Sequence, residues 1–332
     1  MKNLAAAALL LSLHPSDPVE LVPRVPDGVL VTECKLASSA RLESTKLFAD
    51  GKEVPVPGGT SRTIEVRQAV VFRDAAFEAK GGRVDAFART YTAARRTSSM
   101  QMVDPFGGEH ADEGERGSPL VEEPLRFARE EGVLVARRSD GTEQAGALPT
   151  PDWTVLLPAE PVEVGDSWPV PVDLLAALRE PGGELAWEMA GEGEESLELL
   201  APAGSTVYEG EAQGTLEALE GGVARIALAV RATARLDLTP FLPKEDVVEH
   251  TEGPHRPTIE KVVIVSELEG EGELRWLVDA GRADSLALKL EGTEVETVDY
   301  GHSQLAFGHD VELSSISRSA VTERLEATLN AR

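Results

Sequence analysis

Strict alternation of apolar and polar side chains constrains this chain more than any other feature. From Val223 to Leu238, Ile226, Leu228, Val230, Ala232, Ala234, Leu236 and Leu238 hold the even positions, while Arg225, Arg231, Arg235 and Asp237 hold odd ones. Successive side chains of an extended chain point to opposite faces, so a period of two with one charged face predicts a half-buried antiparallel strand. Leu274, Trp276 and Val278 alternate with Glu273, Arg275 and Asp279, and Leu286, Leu288 and Leu290 repeat the pattern. Ile64, Val66, Val70 and Phe72 carry it nearer the N-terminus.

Turn chemistry separates these runs. Gly81-Gly82 and Gly221-Gly222 suit tight hairpins, Asp140-Gly141 is a third hairpin signal, and Glu269-Gly270-Glu271-Gly272 and Asp279-Ala280-Gly281 read as two more turns. Helix is confined to Val172–Arg179, stopped by Pro181-Gly182-Gly183. The tail from Ile316 to Leu329 reads two ways, alternating at its Ser-rich start and helix-like from Ala320 onward. Gly82, Gly132 and Gly141 recur as Gly222, Gly272 and Gly281 at an offset of about 140 residues, which suggests an internal repeat. Each repeat would hold a long polar loop: Asp104–Gly108 with the acidic run Glu109–Glu115 in the first, Pro240–Pro257 in the second. The expected fold class is mainly β, with antiparallel sheets in two similar half-barrel or sandwich-like halves, residues 20–150 and 151–332. A signal segment over residues 1–18 would precede them.

That signal reading rests on Met1-Lys2-Asn3 followed by an apolar run from Leu4 to Leu13. One positive charge and about ten apolar residues match a secretory signal. The run is too short for a bilayer-spanning helix, which needs about 20 residues. The mature chain is therefore expected to be extracytoplasmic, periplasmic or secreted, with no transmembrane segment. Asp plus Glu number 58 against 32 Lys plus Arg, a net charge of −26. Such a surface repels phosphate backbones and anionic headgroups, which argues against a nucleic-acid partner. The single cysteine, Cys34, cannot form an internal disulfide and lies in the strand-like run Val29–Cys34, where a buried, inert thiol is expected.

Leu157-Pro158-Ala159-Glu160-Pro161-Val162-Glu163-Val164-Gly165-Asp166-Ser167-Trp168 is the most distinctive stretch. Its prolines hold the chain extended, Val162 and Val164 would share one face of a short strand, and Gly165-Asp166 would turn it. Trp168 then drops a large ring into the core. The stretch resembles a segment of uncharacterised exported bacterial β-rich proteins that carry L-P-x-x-P-V-x-V-G-D-x-W. That resemblance implies export and a β-sheet domain and assigns no activity. In strand pattern alone the chain is also similar to the curved half-barrels of lipoprotein-carrier proteins.

The chain holds no Gly-x-Ser-x-Gly elbow, Walker A loop, Gly-x-Gly-x-x-Gly fingerprint, His-Glu-x-x-His helix or EF-hand loop. His250 with His255, and His302 with His309, are candidate metal pairs, and Glu109, Asp112, Glu113 and Glu115 candidate weak Ca²⁺ ligands; solvated surface is the simpler account of each. Trp153, Trp168 and Trp187 could line a ligand pocket, with core packing the simpler account. No catalytic, cofactor-binding or metal residue is assigned, and no cofactor is expected. The function expected is a non-enzymatic envelope protein binding an apolar small molecule, a lipid or a protein partner. The alternatives are a structural or assembly protein with a packed interior, and a hydrolase with a carboxylate site that no motif marks.

Overall fold

The computed structural model describes residues 18–56, 60–80, 83–103, 109–144, 146–147, 153–183, 185–189, 204–242, 259–303 and 311–331. The apolar run at residues 4–13, the pair His250 and His255, and His309 lie outside the described residues, as do Gly81 and Gly82.

Among the described residues fourteen strands make up one sheet: β1 (Leu30–Ala49), β2 (Lys52–Val54), β3 (Ser61–Lys80), β4 (Arg83–Val103), β5 (Glu109–Gly117), β6 (Pro124–Glu130), β7 (Val133–Arg137), β8 (Ser167–Val170), β9 (Glu188–Met189), β10 (Thr206–Glu220), β11 (Val223–Asp237), β12 (Lys261–Leu277), β13 (Arg282–Ser303) and β14 (Val311–Ala331). Among the same residues one α-helix, α1 (Leu174–Arg179), lies between β8 and β9. The strand order is β7-β6-β4-β3-β1-β14-β13-β12-β11-β10-β8, with β2, β5 and β9 off this path. The pairing is antiparallel throughout the named strands, and among the described residues the two ends of the path do not meet. The fold is mainly β. The two halves of the chain join edge to edge, because the last strand lies between β1 and β13.

Alternation explains both faces of this sheet. In β14 the odd positions from Val311 to Leu329 turn inward and the even positions from Glu312 to Asn330 turn to solvent. In β11 the even positions Ala224 to Ala234 are buried. Register carries one inner face from strand to strand: Leu228 faces Gly272, Gly272 faces Leu288, Leu288 faces Leu325 and Leu325 faces Leu36. The buried side chains form one main cluster running from β3 and β4 to β13 and β14, with a smaller one around Leu238, Val262 and Val298. At the β4 end the rings of Phe87 and Phe127 stack at 4.7 Å, and Phe72 meets Tyr91 edge-on.

A strap, residues 153–183, lies over part of the inner face. At one end Gly165 N–H donates to Leu216 O at 2.7 Å, tying the strap to β10. At the other, the Tyr91 hydroxyl on β4 donates to Gly182 O at 3.3 Å. Between them α1 sets Leu175 and Leu178 against the sheet. Burial of each leucine contributes roughly 1.5–3 kcal/mol.

Four readings change against this structure. Glu269–Gly272 is not a turn but the middle of β12, and therefore Gly132, which has positive φ in the β6–β7 hairpin, and Gly272 are not equivalent turns. The acidic run from Glu109 is not a loop but β5, paired with β4 from Glu109 to Gly117. Backbone pairing satisfies its polar groups despite a composition that reads as loop. The tail is strand throughout, because the inner positions Val321, Leu325, Ala327 and Leu329 pack at a spacing of two. Val162 is buried and makes one bridge to Val19, whereas Val164 is 46% exposed, so the pair does not share a strand face.

Candidate binding site on the inner face

The distinctive Leu157–Trp168 stretch forms the entry of the strap. Asp166 Oδ2 accepts the Glu163 amide at 2.8 Å and Gly165 takes φ 101°, which builds the expected turn. Trp168 then enters the core, 8% exposed, with Nε1–H donating to Leu156 O at 2.8 Å. Trp153 is also buried and Trp187 packs against the same cluster, so these rings belong to the core, and Trp168 also borders the groove along β10.

Beneath the strap the apolar contact is nearly complete. A cavity of about 20 Å³ remains between α1 and the sheet, lined by Leu156, Val172, Leu175, Leu178, Leu228 and Leu288 among others. Where this apolar region ends, the inner face turns polar. Arg179, the last residue of α1, donates to Glu323 Oε1 on β14 at 2.5 Å and to the Tyr208 hydroxyl on β10 at 2.8 Å. Burial alone would lower the Arg179 pKa, but Glu323 and Tyr208 outweigh it and hold the guanidinium above its ordinary value. Glu323 is 1% exposed, and its second oxygen, Oε2, has no hydrogen-bond partner among the described residues.

Further along the same face Ser266 donates to Glu294 Oε2 at 3.2 Å, and Arg62 pairs with Glu296 at 2.8 Å. Burial pushes the Glu294 carboxyl above the ordinary carboxylate range. Glu296 and Glu323 add to that rise, while the Ser266 hydrogen bond and Arg179 oppose it. This stretch of the inner face thus sets Glu294, Glu296 and Glu323 beside Arg62 and Arg179, while Arg96, opposite Gln68, lies on the same face farther along the sheet.

A second buried pair lies at the other end of the core. Arg89 reaches Asp74 through Nε at 2.7 Å and through a terminal nitrogen at 2.8 Å, with its guanidinium 4.0 Å from the Phe72 ring centre. This bidentate geometry satisfies the charge inside the aromatic cluster. Cys34 lies close enough to feel Arg89, yet burial dominates and pushes its thiol up to about 12. A protonated thiol is neither nucleophile nor metal ligand at neutral pH.

The outer face is solvated. A groove of about 1120 Å³ follows β10 to β13, lined by Glu211, Glu269, Glu271 and Glu291 with Arg231 and Lys289. A shallower basin of about 440 Å³ is lined by Lys35, Arg67, Arg95 and Arg324. Three of those cations pair with Glu33, Glu65 and Glu115. Among the described residues no group of three or more His, Cys, Asp or Glu is placed to hold a metal. The β5 acids alternate: Asp112 faces Met100 and Glu113 faces Ser99, which sets them on opposite sides of the strand. No helix among the described residues is long and apolar enough to cross a membrane.

None of the charged inner residues was singled out from sequence, although the signal was there. Glu323 sits between Val321 and Leu325 at apolar parity, and Glu294 and Glu296 continue the parity of Leu286, Leu288 and Leu290. A carboxylate on the buried side of a clean alternation is a polar group that requires a partner.

No protein-family profile matches the chain, and no curated protein matches it. Among solved structures it is similar to an outer membrane channel from Pseudomonas putida F1, at 7% identity with 95% of this chain and 100% of that chain covered and a TM-score of 0.21. It is also similar to the P. putida toluene transporter TodX, at 8% identity with 94% of each chain covered and a TM-score of 0.23. Overlaps this loose reflect abundant strand and carry no argument about what this chain does.

Proposed function

We propose that the protein is a non-enzymatic extracytoplasmic envelope protein whose inner sheet face takes an apolar ligand when the strap moves aside. The observation behind this is how α1 is held. Six residues are too few for a helix to persist alone, and α1 is kept by two buried leucines and by Arg179 at its end, bound to Glu323 and to the Tyr208 hydroxyl. Segments with so few anchors open at a cost well below global unfolding. Opening would bare Leu228, Val230 and Leu288, a contiguous apolar surface on rigid strands.

One measurement favours the structural alternative. The closed cavity of about 20 Å³ is far below the roughly 300 Å³ at which small-molecule pockets begin. In a purely structural protein the strap would never leave. The hydrolase alternative has Glu294 as a raised carboxyl, but its neighbours Glu296 and Glu323 are each tied to an arginine, which leaves no second carboxylate free to act opposite it.

Calorimetric titration of the full-length chain with dodecanol separates the first two readings. Saturable binding near one equivalent, abolished when Leu228→Asp places a charge under α1, supports the ligand reading. Absence of binding to a folded protein leaves the structural role.

A further inference from the structure

We infer that the polar belt at the end of α1 is the headgroup site for the same ligand, and that the ligand is an amphiphile whose head donates hydrogen bonds and carries positive charge. The inference rests on the apolar-ligand reading above and adds the chemistry of the other end. Leu178 lines the small apolar cavity and Arg179 follows it directly in α1. Glu323 faces Leu290 on β13 and Ser38 on β1, one step along the inner face from Leu288. A chain lying beneath α1 therefore ends at Glu323.

What the belt lacks decides the head. Arg179 is occupied by Glu323 and Tyr208, and Arg62 by Glu296. Glu294 is held by the Ser266 hydroxyl, whereas Glu296 and Glu323 each meet an arginine. The unmet capacity is an acceptor: Glu323 Oε2 is buried without a partner. A buried acceptor on a carboxylate is satisfied by an ammonium or another cationic donor, because charge-assisted hydrogen bonds are about twice as strong as neutral ones. A carboxylate head would meet two arginines already engaged and three anions. The molecule's overall charge of −26 would also draw a cationic amphiphile toward it.

The test compares three probes of equal chain length: dodecylammonium, dodecanol and dodecanoate. Each is titrated below its micelle concentration into the full-length chain at neutral pH. Sodium chloride at about 0.5 M shortens the Debye length to about 4 Å, which suppresses attraction to the outer face. The expected result is a single site that takes dodecylammonium at least about tenfold more tightly than dodecanoate, with dodecanol between them. In Glu323→Gln the acceptor is weakened and Arg179 is freed, so the preference should vanish or invert. Should that variant fail to fold, Glu294→Gln removes a neighbouring carboxylate and should narrow the preference several-fold. Equal binding of all three probes, or tighter binding of dodecanoate, overturns the headgroup assignment and leaves the apolar-ligand reading standing. An ammonium preference that persists in both variants places the attraction on the outer face and overturns the assignment too. Binding of none of the three overturns both readings together.

Discussion

Trp168 shows how one residue of the strap fixes its position. Its ring lies so close to Gly214 on β10 that a Cβ there would sit 2.9 Å from the indole, and its N–H is satisfied by Leu156 O. Truncation to alanine removes the ring and leaves a void against a glycine. Trp168→Ala should therefore cost about 3–5 kcal/mol, read as a lower urea midpoint; a midpoint within experimental scatter of wild type would show that the ring is not core. The placement of Trp168 was legible in the sequence because its flanking prolines, turn and ring act locally. Cys34 was legible in part. Its strand alternation gave a buried thiol, but Arg89 comes from β4, 55 positions later, and no local pattern announces it. Because burial raises the folded thiol from 9.0 to about 12, the folded state favours the protonated form. That contribution is fully present below pH 9 and is lost as pH rises toward about 12. Cys34 should accordingly resist a disulfide-exchange reagent in the native protein at pH 8 and react fully in urea, and Cys34→Ala should flatten the loss of stability above pH 9. A native thiol reacting at the unfolded rate would contradict the buried assignment.

At the scale of the strand, glycine is where the sequence misleads. Gly270, Gly272 and Gly292 all point to the inner face, and a Cβ on Gly270 would overlap the Lys289 carbonyl oxygen on β13. The backbones of β12 and β13 come together there more closely than regular pleating permits. The same residue type that marks a turn in Gly221-Gly222, with φ of 58° and 79°, marks a bend within a continuous strand in β12. From sequence alone the two uses look alike, because both are glycines among glutamates. What separates them is tertiary: β12 pairs on both sides from Val263 to Leu277. Gly270→Ala should destabilise the protein by at least about 1–3 kcal/mol, the usual cost of forcing atoms into a filled space. The neighbouring Glu271→Ala, on the solvated face, should stay within about 0.5 kcal/mol. Equal urea midpoints for the two variants would mean the strands can part freely at Gly270. The terminal strand misleads in the opposite way. Ala, Leu, Glu and Arg are good helix formers, yet in β14 they pair with β1 and β13 over nearly their whole length, and packing overrides propensity.

At the scale of the whole molecule, β14 decides whether two halves or one body fold. Sequence order suggests a cut near residue 150, because each half has its own hairpins. The structure places the last strand between the first and the next to last, so Leu30 pairs with Ala331 and Ser285 pairs with Thr328. The main core cluster draws Val70 and Phe72 from one half together with Leu290 and Leu325 from the other. The strap begins against β10 and ends against β4, crossing both. Pairing of chain ends is invisible to any local reading, since it depends on contacts separated by some 300 positions. It also means that the ladder between β1 and β14 can form only after the whole chain is made, and non-local pairing of this kind folds slowly. Full-length protein should unfold in a single transition by both calorimetry and circular dichroism, with calorimetric and van't Hoff enthalpies in agreement. A chain ending at Ser303 would leave the long edges of β1 and β13 unpaired at once, and exposed edges of that length invite association. It should show no cooperative transition and should aggregate at concentrations where the full chain stays monodisperse. If the truncated chain instead keeps a sharp transition of about half the enthalpy, the N-terminal strands form an independent body, and the junction between β1 and β14 is an interface between two domains rather than the centre of one sheet.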